Sequence, residues 1–161
     1  MAISPGTFRA AMGQMASGVT IITMRTDGTD YGFTASSFTS LSLDPMLVLV
    51  CVVKNQRCHA LIQQAGHYAA NILSTSQQSL GARFADPRVL DRFAGVTTQR
   101  ASTGAAILPG SLAWVDCRLR EVLPGGDHSI FVGEVLEAEV RPCSAALVYH
   151  NRRWGRVVSE E

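Results

Sequence analysis

The chain has 161 residues, 47% hydrophobic and 17% charged, and its 14 Lys and Arg nearly cancel its 13 Asp and Glu, for a net charge of +1. That length fits one domain, residues 1–161, able to bury a core without disulfides or metal, and the apolar content excludes a disordered chain. The balance lacks the basic excess of a duplex-DNA binder, and a charged fraction below the usual value of about 25% suggests surface covered in an oligomer.

Residues 4–16 read as a helix: Ser4 caps it, Pro5 suits its first position, Phe8, Ala11, Met12 and Met15 form one apolar stripe, and Gly18 is its stop. Val19 to Met24 is β-branched and strand-like, and Asp27-Gly28 turns the chain into a second strand from Tyr31. Alternation in that strand changes phase between Ala35 and Leu41, which predicts a β-bulge. After a turn at Asp44-Pro45, Met46 to Val53 is apolar at every position and predicts a strand buried on both faces. Arg57 to Gln64 predicts a short helix ending at Gly66, Tyr68 to Leu73 a strand, and Gln77 to Ala85 a helix capped by Ser74 or Ser76. Arg88 to Phe93 predicts one more helical turn, and residues 94–111 a loop. Leu112 to Leu123 and Ser129 to Val140 predict strands joined through Pro124-Gly125-Gly126-Asp127, and a last hairpin, Ala146 to His150 with Trp154 to Val158, turns at Asn151-Arg152-Arg153. The pattern is α+β and mainly β, dominated by antiparallel strands, and suggests a barrel.

The four cysteines, Cys51, Cys58, Cys117 and Cys143, show no paired metal spacing, and Cys51 is expected to point into packing rather than join Cys58 and His59 in a metal site. The N-terminus does not read as a signal peptide, and the longest apolar run, Met46 to Val53, is too short to span a bilayer. A reducing cytoplasm with free thiols is the expectation.

The usual nucleotide and hydrolase motifs are absent: no G-x-G-x-x-G after a strand, no phosphate-binding G-x-x-x-x-G-K-[ST], no G-x-S-x-G. The unusual stretch is Gly32 to Ser40, whose hydroxyls stand in an otherwise buried strand. Either they satisfy one another across strands, or they and nearby backbone N–H groups bind an anion or the polar edge of a heterocycle. His128, in Gly126-Asp127-His128, is either a solvated turn residue or a donor to a ligand at the mouth of two strands. Phe84-Ala85-Asp86-Pro87-Arg88 and Arg92-Phe93 are either an ordinary helix end with solvated arginines or a lid over a flat ligand.

Four stretches carry a resemblance: Gly18-Val19-Thr20; Gly32 to Ser42 leading through Asp44-Pro45 into Leu47 to Val52; Tyr68 to Leu73 with Gln77, Phe84-Ala85 and Arg92-Phe93; and Gly126-Asp127-His128 through Gly133-Glu134-Val135 to Leu147-Val148-Tyr149-His150. They span nearly the whole chain, and the sequence resembles the short-chain flavin reductase family, the reductase components of two-component flavin-dependent monooxygenases.

The resemblance implies a split β-barrel of the FMN-binding type, an antiparallel Greek-key barrel with short flanking helices. It implies a homodimer with sites at the subunit interface. The implied activity is NAD(P)H-dependent reduction of FMN or FAD, with NADH or NADPH as donor and a monooxygenase component as recipient. By similarity Thr34, Ala35, Ser36 and Ser37 line the isoalloxazine edge and its phosphate. Cys51, Val52 and Val53 run beneath the flavin tail, with Lys54 and Asn55 near the phosphate or adenine end. Phe84, Ala85, Arg88 and Arg92 close over the nucleotide, His128 meets the nicotinamide, and Tyr149 or Trp154 flanks the ring. Neither nucleic acid, membrane nor metal is implied. The alternatives are a barrel holding flavin as a fixed group, as in an oxidase or sensor, and a non-catalytic dimeric binding barrel.

Overall fold

The computed structural model describes residues 2–141 and 145–158, so Cys143 lies outside the described residues. Helix α1, Pro5–Gly13, begins as expected: Ser4 Oγ accepts from the Thr7 N–H at 3.1 Å. It ends earlier than residue 16. The Asn151 N–H donates to the Gly13 carbonyl at 2.8 Å, and Ser17–Gly18 become strand β1. Tertiary pairing overrides the helical periodicity here. The Phe8, Met12 and Met15 stripe is then left largely exposed among the described residues, and no residue of α1 is buried.

Strands β2, Thr20–Thr26, and β3, Thr29–Ala35, form a hairpin whose turn needs left-handed backbone at both Asp27 and Gly28, φ 50° and 77°. The next strands are β4, Thr39–Leu43, and β5, Met46–Val53. Helix α2, Arg57–Ala65, stops at left-handed Gly66, whose N–H donates to the Ile62 carbonyl. Strand β6, His67–Ile72, leads to a 3₁₀ turn, Thr75–Gln77, and helix α3, Gln78–Ala85; Ser74 and Gln77 form a reciprocal capping box at that turn. Residues 86–95 are turns, not the helical turn expected over Arg88 to Phe93. Within 94–111, read as loop, lie two short paired strands, β7, Gln99–Arg100, and β8, Ala106–Ile107. Residues Ala105 to Leu108 are fully buried, because Thr23 Oγ1 donates to the Ala106 carbonyl at 2.7 Å and Asn71 Oδ1 accepts from the Leu108 N–H at 2.8 Å. Long β9, Ala113–Gly125, and β10, His128–Val140, turn on Gly126-Asp127 alone. The final hairpin is β11, Leu147–His150, and β12, Arg153–Arg156.

The main sheet is antiparallel, in the order β3-β2-β6-β9-β10-β5-β4, with a smaller sheet β1-β11-β12 beside it. Its two edges, β3 and β4, are consecutive in the chain, joined by residues 36–38, but do not pair, so the barrel is not closed. The phase change read as a bulge is mainly this departure from the sheet; a register slip follows between Ser40 and Ser42. The strand buried on both faces is β2: Ile22 faces a core with Val50, Tyr68, Phe131 and Ile62 of α2, while Ile21 packs with Leu73, Leu147 and Phe84 of α3. β5 alternates. Val48, Val50 and Val52 are buried, but Leu47, Leu49, Cys51 and Val53 are only half-buried on the other face, which the described residues leave partly open. Cys51 therefore points away from the core, contrary to expectation.

Candidate functional site

A groove of about 830 Å³ runs between β3, the first turn of α2 and the loop after α3. Gly32 sets its floor: a Cβ there would lie 2.9 Å from both the Ile22 carbonyl and the Phe84 ring, so only glycine lets α3 settle this close. Thr34 Oγ1 donates to the Gly81 carbonyl at 2.6 Å and ties α3 to β3. The far wall hangs on two arginines bound to backbone. Arg92 donates to the Gly32 and Asp86 carbonyls at 2.8 and 3.1 Å, and Arg83 donates to those of Asp91 and Ala94 at 3.0 and 2.8 Å. Phe93 packs edge-on against Phe84, ring centroids 4.9 Å apart.

Thr34, Asn55, Phe84, Ala85 and Arg92 of the anticipated residues meet in this groove. Arg88, on the same loop, pairs instead with Asp86 at 2.8 Å in solvent; the hydrogen bonds from Arg88 hold that carboxyl down to about 2. Lys54 is tied to the β9–β10 turn, its Nζ donating to the Gly126 carbonyl at 2.7 Å and its N–H to that of Asp127 at 3.0 Å. His128 stands on that turn opposite Val53, half-exposed, its Nδ1 2.7 Å from Asp127 Oδ1. Its hydrogen bond holds the Asp127 carboxyl below the usual range. The turn therefore sits beside the Asn55 end of the groove.

Other anticipated residues lie elsewhere. Val52 is a core side chain and Ala35 is buried, its carbonyl accepting from Thr20 Oγ1 at 2.9 Å, so neither side chain is available to a ligand. Ser37 spends its hydroxyl within the chain: Oγ accepts from the Cys51 N–H at 3.3 Å and donates to the Cys51 carbonyl at 2.9 Å. Ser36 and Tyr149 line a separate pocket of about 510 Å³ under α1, with Arg9 and Arg152. Trp154 packs edge-on to Tyr149 at 5.2 Å and against Gly81 of α3, outside the groove.

Sequence reasoning missed Asp30, Tyr31 and Arg57. The Arg57 guanidinium lies 5.0 Å from the Tyr31 ring centroid at the groove mouth. Both Asp30 oxygens bond Arg100 at 2.6 Å, and Oδ1 also takes Arg25 at 2.8 Å. Burial alone would raise the Asp30 carboxyl, but Arg100 and Arg25 outweigh it and hold it below its ordinary value. Burial pushes the Cys58 thiol up despite the nearby Arg92 and Arg57, so it stays protonated. Arg57 and Arg92 have no carboxylate partner among the described residues, and Arg92 Nε is buried with no partner. A groove with unneutralised guanidinium groups and an orphaned N–H fits an anionic, phosphate-bearing ligand.

Fold and groove together define an open antiparallel barrel whose side groove carries two guanidinium groups without carboxylate partners among the described residues. The flavin reductase like domain profile matches residues 12–157. The flavin-dependent monooxygenase reductase subunit HsaB of Rhodococcus jostii is 43% identical over 155 residues, 96% of this chain and 79% of that protein. Nitrilotriacetate monooxygenase component B of Mycobacterium thermoresistibile superposes with a TM-score of 0.92 at 38% identity, covering 95% of this chain and 86% of the other. The NADH:FAD oxidoreductase SgcE6 of Streptomyces globisporus, solved with NAD and FAD fragments, gives 0.90 at 31% identity over 98% and 97%. The chain belongs to the flavin reductase family, and with it to the oxidoreductases. No helix among the described residues is long and apolar enough to cross a membrane.

Proposed function

We propose that this protein uses NADH or NADPH to reduce free FMN or FAD and hands the reduced flavin to a separate monooxygenase component. The observation that carries the reading is the groove itself, with Arg57 and Arg92 unpaired by carboxylate among the described residues beside Tyr31 and Gly32 of β3. The flavin would bring the hydride-accepting chemistry; the protein's part is to bind, orient and exclude water. Arg92 and Asn55, which line the same groove, would face the phosphate end. The backbone at Thr34 to Ser37, where the chain leaves the sheet, would meet the polar ring edge. The Ser37 hydroxyl is already engaged, so its backbone and not its side chain is the part offered. His128 would orient the nicotinamide: with Nδ1–H donating to Asp127, Nε2 is left as an acceptor for a carboxamide N–H. The test is nucleotide consumption by the purified protein with FMN and FAD against NADH and NADPH in all combinations. Flavin-dependent consumption with loosely held flavin supports a reductase, and a stoichiometric, non-dissociating flavin would instead mark a fixed prosthetic group.

We further infer a homodimer in the reducing cytoplasm. The accessible surface is 9413 Å², whereas an independent globular chain of this mass exposes about 7,800 Å². The excess includes Phe8, Met12 and Met15 of α1, between 47% and 60% exposed, which a second copy would cover. Cys51, Cys58 and Cys117 are free thiols, in keeping with a reducing compartment. Sedimentation at micromolar concentration should show a dimer, and a 17.3 kDa species alone would refute it.

A further inference from the structure

The β9–β10 hairpin carries His128 on an overhang. β6 pairs with β9 only as far as Arg118, and residues 121–127 are exposed. The tip is held from the other side by β5, whose Val53 faces His128 at the end of the ladder. The turn is Gly126-Asp127, with left-handed backbone at Gly126, φ 67°. Glycine leaves such a turn free to twist unless a contact from outside the hairpin fixes it.

Lys54 makes that contact. It follows Val53 directly; its N–H donates to the Asp127 carbonyl at 3.0 Å and its Nζ to the Gly126 carbonyl at 2.7 Å. Among the described residues, no other hydrogen bond from outside the hairpin reaches these two. On the far side of His128, His59 Nε2 lies 2.9 Å from Ser129 Oγ, and its ring stands edge-on to Phe131 at 5.1 Å. One short segment, residues 54–59, thus grips the chain before and after His128, and the same segment gives Asn55, Arg57 and Cys58 to the groove. The two grips differ. His59 is half-buried against Phe131, so altering it disturbs packing, whereas the Lys54 side chain is exposed. Lys54 also bears on the imidazole. Asp127 Oδ1 lies 2.7 Å from His128 Nδ1, and that carboxyl is held down first by His128 and further out by the Lys54 charge.

We propose that Lys54 is a positioning residue for His128, setting the β9–β10 turn against the groove wall so that the imidazole meets the nicotinamide at a fixed place. This rests on the flavin reductase reading and adds to it a side chain that binds neither nucleotide. Its charge could instead serve a ligand phosphate, and the experiment separates the two roles.

The test is a double-mutant cycle on the full chain: wild type, Lys54→Met, His128→Ala and the double variant, with Lys54→Arg as the rescue, each checked by circular dichroism and thermal melt. The readouts are KM for NADH, flavin affinity without pyridine nucleotide, and calorimetric titration of oxidised NAD⁺ with and without FMN, where no hydride can move. Lys54→Met should raise KM for NADH and weaken NAD⁺ by about three- to fivefold, less than the loss of about tenfold expected of His128→Ala, because it acts through that residue. In the His128→Ala background the same change should add less than about 1.5-fold. Flavin affinity should hold within about twofold, and Lys54→Arg, which keeps a charged donor, should stay near wild type.

Equal NADH and NAD⁺ values in wild type and Lys54→Met, or factors that multiply in the double variant, overturn the proposal and leave the reductase reading standing. Flavin weakened by the same factor in both backgrounds makes Lys54 a phosphate ligand and overturns it too. A His128→Ala protein that behaves as wild type removes the residue through which Lys54 acts, and overturns the proposal along with that assignment. A protein that reduces no flavin loses the reductase reading, and the NAD⁺ cycle still decides Lys54; one that neither reduces flavin nor binds NAD⁺ overturns both.

Discussion

Ser37 is where the barrel fails to close, and its hydroxyl performs the task a strand would otherwise perform. In the β4–β5 ladder Thr39 faces Leu49, so continuing that register two residues places Ser37 opposite Cys51. The chain has already left the sheet at residues 36–38, and Ser37 Oγ takes over, accepting from the Cys51 N–H and donating to its carbonyl. Ser37→Ala removes both bonds from a half-buried position. At about 0.5–1.5 kcal/mol for each, the loss is about 1–3 kcal/mol. For a chain of this length each kcal/mol moves the midpoint by about 2–4 °C, so a fall in Tm of roughly 2–12 °C is expected. Thermal melts at fixed protein concentration test it, with Ser37→Thr as the variant that keeps the hydroxyl and recovers most of the loss. A Ser37→Ala protein that melts within about 1 °C of wild type but binds flavin tenfold more weakly would refute the strap and assign the hydroxyl to the ligand.

His128→Ala should raise the KM for NADH by about tenfold, the equivalent of one lost hydrogen bond near 1.4 kcal/mol, while flavin affinity measured without pyridine nucleotide stays the same; loss of flavin with unchanged nicotinamide kinetics would overturn the assignment. Asp30→Asn should destabilise by about 1–2 kcal/mol at neutral pH, because Arg25 and Arg100 lose a charged partner that is itself only partly exposed. Since the Asp30 carboxyl is held below its ordinary value, that contribution is full above about pH 4 and is lost as the pH falls through the depressed value; denaturant melts should show the two proteins converging in acid, and a constant gap would argue against ionisation as the cause. Asn71→Ala should cost about 2–4 kcal/mol in urea unfolding, since Nδ2 donates to the Ile21 carbonyl at 3.1 Å and Oδ1 accepts from the Leu108 N–H, both fully buried. A loss under about 1 kcal/mol would mean the segment 105–108 is held by apolar packing alone.

Local chemistry was readable wherever it is self-contained. Asp27-Gly28, the Ser4 cap and Gly66 announce turns and ends whose backbone demands belong to those residues themselves. Burial is another matter, because it depends on what covers a strand. β5 is apolar at every position yet has one open face, whereas β2, interrupted by Thr20 and Thr23, is buried on both, its threonine hydroxyls satisfied by Ala35 and Ala106 carbonyls. The segment 105–108 shows no alternation, and its burial follows from partners in β2 and β6 more than thirty residues away. Of the site, Thr34, Asn55, Phe84, Ala85 and Arg92 came with the family resemblance and do share the groove. Tyr31 and Arg57 carry no local signal, being 26 residues apart and brought together only by the packing of α2 on β3.

The division of labour between the groove's two arginines decides which of them can be interrogated. Arg92 both holds the loop, through the Gly32 and Asp86 carbonyls, and supplies charge to the groove. Any neutral replacement there removes a wall and a charge together, leaving the Gly32 and Asp86 carbonyls to find new donors, so lost affinity at Arg92 reads equally as a collapsed loop or a missing counter-charge. Arg57 has no such structural duty: its contacts are the Tyr31 ring and one long bond to its hydroxyl, and α2 keeps its core contacts through Cys58 and Ile62. A change in ligand preference at Arg57 therefore reports on the ligand. At Tyr31 the same logic favours Tyr31→Phe over a truncation, since it removes the hydroxyl bond while keeping the ring that lies 5.0 Å from the guanidinium and packs on the core. The ring contact and the hydrogen bond are separated by that one oxygen atom.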